Sequence, residues 1–218
     1  MLGLGDGIVA LLAAIGVIYG IYMLITKNLP LYFQLSVCAV GCLMLGYIFD
    51  ICDYAVNGIL SDEYFIGYLG SVGSFLFLLT ASIGYMDGII DDGTPKMKRC
   101  RYIALVAPVL AVILWVINMF ANVPVSTKVM YSILWIPATC CLYFNLKHAI
   151  VPDMGFGFVK AIRPFNIAAI SFALLQLIHL TLWNFCDWIP LLISGIAFGC
   201  SCIVMIVMAD MGVKKWAL

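Results

Sequence analysis

Charge is what this chain has least of. Only 10% of its 218 residues are Asp, Glu, Lys or Arg, while 65% are hydrophobic. A soluble domain of that length could not bury so much apolar surface. The missing polar surface implies lipid. Eleven basic residues balance eleven acidic ones, which excludes nucleic acid as an electrostatic partner and a polybasic membrane-surface protein alike. Histidine is scarcer still. His148 and His179 are the only two, expected at opposite membrane faces, so they cannot share one metal ion, and neither H-E-x-x-H nor another catalytic motif is present. No Ser, Cys or Asp nucleophile shows a base and an orienting partner in the sequence. No cofactor, no metal and no reaction are expected. The last apolar run lacks a buried lysine, since Lys214 and Lys215 lie at its end, which excludes a retinal Schiff-base plan. The first apolar run lacks a basic n-region and an A-x-A-like cleavage site, and is expected to be a mature helix rather than a signal peptide.

What the chain has is long apolar runs. A bilayer core of about 30 Å asks for roughly 20 apolar residues per helix, and such runs lie near 7–26, 31–56, 64–90, 102–121, 126–148, 161–184 and 189–212. They predict an all-α integral membrane protein, a single seven-helix transmembrane domain over 1–218. Turn chemistry marks the breaks: Lys27 to Pro30, Ser61 to Glu63, Asp91 to Pro95, Asn122 to Pro124, Pro152 to Gly155 and Asp187 to Pro190. Membrane strands would be short and alternating, which these runs are not. Pro108 and Pro137 are placed to kink the fourth and fifth spans. No repeat relates the first three spans to the last three. Small residues recur at helix-packing spacing in Gly16 with Gly20, Gly67 with Gly70, Gly73 and Ser74, and Gly195 with Gly199.

Basic residues mark the cytoplasmic side of short loops. Lys27, the cluster Lys96, Lys98, Arg99 and Arg101, then Lys147, Lys160 and Arg163, and finally Lys214 and Lys215 fall in alternate connections. The other connections hold Asp62 and Glu63, the Asn122 to Ser126 stretch followed by Lys128, and Asp187. The N-terminus is therefore expected outside and the C-terminus in the cytoplasm, in a multi-pass protein of the cell membrane. Trp183, Trp188 and Trp216 sit near span ends, as interfacial aromatics do. The nine cysteines lie mostly in apolar runs, as Cys38, Cys42, Cys140, Cys141, Cys200 and Cys202 do, and behave there as small hydrophobes. Cys52 and Cys186 fall near the expected outer face, where a disulfide is chemically allowed and the sequence leaves it open.

Ionisable groups inside a span are costly, so they face the bundle interior and are functional candidates. The second span places Tyr47, Asp50 and Tyr54 at i, i+3 and i+7, with Asp53 one turn from Asp50; the sixth places Gln176, His179 and Trp183 at the same spacing. Both sets fall in the outer half of the membrane at 1.5 Å per residue. If the faces meet, they line an outward-opening pocket of the kind that takes a small molecule, joined by Tyr68, Asn118, Tyr131 and Trp135 at similar depth. The alternative is that these groups satisfy one another and hold helices together. Toward the inner side, Asp87, Asp91 and Asp210 sit near the basic loops, as surface pairs or as a switch.

The stretch Tyr32-Phe33-Gln34-Leu35, then Leu45-Gly46-Tyr47-Ile48-Phe49-Asp50, then Glu63-Tyr64-Phe65-Ile66-Gly67-Tyr68-Leu69-Gly70 resembles the N-terminal seven-helix sensor region of bacterial histidine kinases and diguanylate cyclases. There a Gly-Tyr and an acidic residue precede a Tyr-Leu-Gly opening the third helix. The matching positions are Gly46, Tyr47, Asp50, Tyr68, Leu69 and Gly70, within about 40 residues. The resemblance implies a ligand-sensing input module whose seventh helix hands movement to a cytoplasmic output domain. Asp50 stands where the family commonly has Glu. The chain given stops at Leu218, so it is expected to be a fragment or to signal through a separate cytoplasmic protein. The leading expectation is a receptor-like sensor of a small ligand or lipid, with Tyr47, Asp50, Tyr68, Gln176, His179 and Trp183 as binding residues. A small-solute transporter or transport subunit and a structural assembly subunit are the alternatives.

Overall fold

The computed structural model describes residues 2–58, 66–83, 94–152 and 157–216, and those residues are helical with no strand among them. The helices are α1 (Leu2–Thr26), α2 (Leu31–Asn57), α3 (Ile66–Ala81), α4 (Pro95–Ala104), α5 (Val106–Met119), α6 (Val125–Ile150), α7 (Phe158–Phe185) and α8 (Trp188–Trp216). Helix is what such sequences must form in lipid, where every backbone N–H and C=O needs a partner within its own segment. Six stretches are long and apolar enough to cross a membrane: Gly5–Thr26, Leu31–Asn57, Met97–Met119, Val125–Ile150, Val159–Phe185 and Trp188–Lys214. With the shorter apolar Ile66–Ala81 they make seven helices of a multi-pass membrane protein. Asp62, Glu63, Asp87 and Asp91 lie outside the described residues, as do Ser61, Tyr64, Phe65 and Asp153 to Gly155.

The ends follow local chemistry. Pro30 is extended at φ −65° and ψ 158° and starts α2, while Gly58 closes it at φ 69°, its N–H donating to the Tyr54 carbonyl. Gly157, at φ 70°, precedes α7. The fourth span differs from the expected 102–121. It begins at Pro95 and is broken at Leu105, so that α4 and α5 share one crossing. Pro108 explains the break, because it has no N–H to offer the Ala104 carbonyl. The Leu105 N–H tightens onto the Tyr102 carbonyl at 3.2 Å instead. Pro137, by contrast, sits inside an uninterrupted α6.

Six helices close a ring, α1 on α2, α2 on α3, α3 on α6, α6 on α7, α7 on α8 and α8 on α1, and α4–α5 packs outside it against α6 and α7. The fourth crossing is correspondingly the least covered, with 22% of its apolar window buried against 39% or more in the other long spans. Phe75, Phe172 and Phe198 meet inside the ring, with centroids 6.2 Å apart for the first pair and 5.4 Å for the second. Phe198 also reaches Tyr47 at 6.3 Å. This aromatic plug is fully buried and joins α3, α7 and α8. At one end of the bundle α1, α3, α6 and α8 begin and α2, α5 and α7 finish; it is called the N-terminal end here, and the opposite one the C-terminal end.

Candidate functional site: a polar cavity at the N-terminal end

Glycine contact brings the cavity walls together. α2 and α3 cross so closely that a Cβ on Gly70 would stand 2.5 Å from the Cys42 carbonyl oxygen and 2.8 Å from the Gly46 Cα. Gly46 is pressed against the Gly67 carbonyl in the same crossing. The Asp50 carboxylate occupies the place where a Gly67 side chain would be and accepts the Gly67 backbone N–H. Close approach of small residues is the general device for helix association in lipid. Here its effect is to turn Tyr47 and Asp50 of α2 and Tyr68 of α3 toward the ring interior.

These three side chains line a cavity of about 60 Å³ together with His179 and Trp183 of α7 and Asp6 of α1. That is room for a handful of water molecules or a small polar group. Tyr131 of α6 completes the wall, its ring 5.4 Å from that of Tyr68, and the Tyr68 hydroxyl is directed at the Tyr131 hydroxyl. No Lys or Arg lines the cavity among the described residues, so Asp6 and Asp50 face it without a protein cation and repel one another. The described residues include no group of three His, Cys, Asp or Glu placed to hold a metal ion.

His179 is fixed from one side only. Its Nδ1 lies 2.8 Å from the Ser194 Oγ of α8, and that hydroxyl donates its single hydrogen to the Leu191 carbonyl at 2.9 Å. With that hydrogen on the Leu191 carbonyl, Nδ1 is the donor, and in a neutral ring Nε2 carries the lone pair. Nε2 has no hydrogen-bond partner, although the residue is 1% exposed. The ring stacks on Phe198 at 6.0 Å.

Of the other positions singled out by spacing, Gln176 is fully buried one turn deeper than His179. Neither its amide oxygen nor its nitrogen has a partner, and it is not part of the cavity wall. Tyr54 is 43% exposed and stays outside; Asp53 accepts the Asn57 amide at 2.6 Å near the end of α2. Asn118 and Trp135 are helix glue. Tyr131 donates to Asn184 Oδ1 at 2.9 Å, Asn184 Nδ2 to Asn118 Oδ1 at 2.7 Å, Asn118 Nδ2 to Thr181 Oγ1 at 2.7 Å, and Thr181 to the Leu177 carbonyl. Trp135 Nε1 donates to the Ala111 carbonyl at 2.8 Å, which ties α6 to α5. Cys52 and Cys186 are free, exposed thiols, as are all the other cysteines free.

Asp6 escapes the sequence reading because the first strongly apolar run starts after it. A carboxylate at the head of a first helix looks solvated until α1 is seen to pack on both α2 and α8. Ser71 of α3 is a second such addition to the wall; it falls one turn from Tyr68, which was the available signal.

At the C-terminal end, buried Asp210 accepts from the Tyr19 hydroxyl at 3.1 Å and from Lys214 at 2.5 Å. The Tyr32 hydroxyl donates to the Ala209 carbonyl at 3.0 Å. This end of α8 is thus tied to α1 and α2.

Neither a family model, nor a curated protein, nor a solved structure matches this chain. What the cavity does is therefore argued from its own residues.

Proposed function

We propose that the protein is a receptor-like sensor of the cell membrane, not an enzyme, that binds a small ligand in the cavity at the N-terminal end and relays its occupancy through α8 to a cytoplasmic partner. The observation that carries this reading is the convergence of Tyr47, Asp50, Tyr68, His179 and Trp183 on one cavity. A pocket with aromatic walls and a few converging polar groups suits binding. The resemblance of the Gly46 to Gly70 region to bacterial sensor modules points the same way.

The orientation follows from charge. Ten of the eleven Lys and Arg lie toward the C-terminal end, Lys128 alone at the other, and the cytoplasmic side of a membrane protein collects the basic residues. The cavity then opens to the outside. The route inward is α8, about 44 Å long at 1.5 Å per residue. It touches the cavity-lining His179 through Ser194 and Phe198 and ends in the Asp210 cluster.

Purifying the tagged protein from its native membrane in mild detergent, with mass spectrometry of what accompanies it, tests the reading. A kinase, cyclase or other regulator in stoichiometric amount is the expected result. A transport ATPase in its place, or solute flux into proteoliposomes, would overturn it in favour of transport. A stable partner with no bound small molecule would make the chain an assembly subunit.

A further inference from the structure

We propose that the ligand of this cavity is a small protonated amine bearing N–H groups, held between the carboxylates of Asp6 and Asp50 and the Nε2 of His179, with its alkyl part against the Tyr47 and Tyr68 rings. The inference rests on the sensor reading for its biological meaning and on the cavity for its chemistry.

Three observations select that class. The first is sign: two carboxyl groups, whose like charges repel, share the cavity, and among the described residues no Lys or Arg joins them. A cation between them removes the repulsion, whereas an anion would add to it, and a buried charge without a counter-charge is unfavourable. Second is the acceptor left over. Ser194 spends its hydrogen on the Leu191 carbonyl and so holds His179 with Nδ1 as donor. In that tautomer Nε2 is an acceptor without a partner among the described residues, on a cavity-lining side chain that is 99% covered. An ammonium N–H satisfies it; a quaternary ammonium cannot. Third are the walls. The rings of Tyr47, Tyr68, Tyr131 and Trp183 surround the acidic groups, and aromatic faces attract cations as well as alkyl groups. At about 60 Å³ the cavity is matched by a short amine.

The same chemistry is offered by a water-soluble amine and by an ethanolamine lipid headgroup. The test uses wild-type protein in nanodiscs of phosphatidylglycerol, which carries no amine, titrated calorimetrically at pH 7. The probes are n-propylamine, its neutral counterpart 1-propanol, and tetramethylammonium, a cation without N–H. Saturable binding of propylamine, at least ten-fold tighter than either of the others, is the expected result. Asp6→Asn and Asp50→Asn should each weaken propylamine at least ten-fold, while Asp187→Asn, exposed and outside the cavity, leaves it unchanged.

Equal binding of 1-propanol, equal binding of tetramethylammonium, or no saturable binding of propylamine by the wild type would each overturn the proposal, and none of these depends on a variant folding. Phosphatidylethanolamine added to the discs then assigns the source. Competition against propylamine identifies the headgroup, and unchanged affinity identifies a soluble amine. A regulator that copurifies while the cavity takes a neutral solute would sink the amine alone. Amine binding accompanied by solute flux would sink the sensor alone.

Discussion

Replacing Gly70 with alanine tests the helix crossing that makes the cavity. The added Cβ would meet the Cys42 carbonyl oxygen at 2.5 Å and the Gly46 Cα at 2.8 Å, and both are backbone atoms that no rotamer change can move. To restore contact at 3.4 Å, α2 and α3 must part by roughly 0.6–0.9 Å, which a close-packed interface resists. Forcing an extra carbon into such an interface costs about 1–3 kcal/mol. Alanine also gains about 1 kcal/mol of helix propensity over glycine, which masks part of that loss. Gly73, one turn further along α3, supplies the correction. A Cβ there would sit 3.5 Å from the Cys42 Cβ and Sγ, in ordinary contact, so Gly73→Ala gains the propensity without the collision. The difference between the two variants isolates the crossing. At roughly 2–4 °C per kcal/mol for a chain of this size, Gly70→Ala should melt about 2–12 °C below Gly73→Ala. A thiol-reactive fluorescent dye reads this in detergent, because Cys141 and Cys202 are buried until the bundle opens. Equal melting temperatures would show that α2 and α3 do not meet at Gly70, and the placement of Asp50 beside Gly67 would fall with it.

A double-mutant cycle on Asn118→Ala and Asn184→Ala should give a coupling of about 0.6–1.7 kcal/mol, the range for hydrogen bonds between membrane helices; additive losses would mean that α5 is not tied to α7 by this pair. Nitrogen-15 NMR of His179 in the neutral state should show Nδ1 protonated and Nε2 bare, and the opposite tautomer would remove the acceptor from the cavity. On intact cells, a membrane-impermeant maleimide should label single-cysteine variants retaining Cys52 or Cys186, and reach Cys100 only after lysis. The reverse pattern would invert the orientation, and labelling of the wild type that required a reductant would mean that the two outer thiols are bridged.

Periodicity and span direction carried much of this site in the sequence. Tyr47 and Asp50 share a face because i and i+3 do in any helix, and His179 with Trp183 for the same reason at i and i+4. Counting depth from alternating spans set both pairs at one end of the bundle. What counting could not supply was which helices are neighbours. Nothing in the hydrophobicity of the fourth span says that it sits outside the ring, so Asn118 looked like a wall residue and proved to be a bond between helices. Angle alone also misled at Tyr54. It shares the Asp50 face, but four residues further along it is already exposed. Asp6 was lost for the converse reason, since its burial is produced by α2 and α8 and leaves no mark on the sequence around it. The resembling residues Gly46, Asp50 and Gly70 acquire a physical meaning: with Gly67 they form one contact, in which absent side chains make room for a carboxylate.

Pairing separates the two kinds of polar group in this bundle. Tyr131, Asn184, Asn118 and Thr181 hand hydrogen bonds to one another until the last is spent on a carbonyl, and a ligand has nothing to gain from them. His179 differs because one nitrogen is engaged and the other is not. Under the sensor reading, an occupant of Nε2 would act on α8 through the Ser194 bond and the Phe198 stack. α8 packs closely on α1, with Gly199 against Leu12 and Gly16 against Ile206 and Cys202. A coupling of about 1–3 kcal/mol is all that detectable communication between two sites requires, comparable to one or two hydrogen bonds to a charged group. Under the sensor reading, the ligand therefore needs to strengthen only the contacts around His179 in one position of α8. The Asp210 cluster at the far end, where Tyr19 of α1 and Lys214 of α8 share one carboxylate oxygen, is where that displacement would reach the cytoplasm.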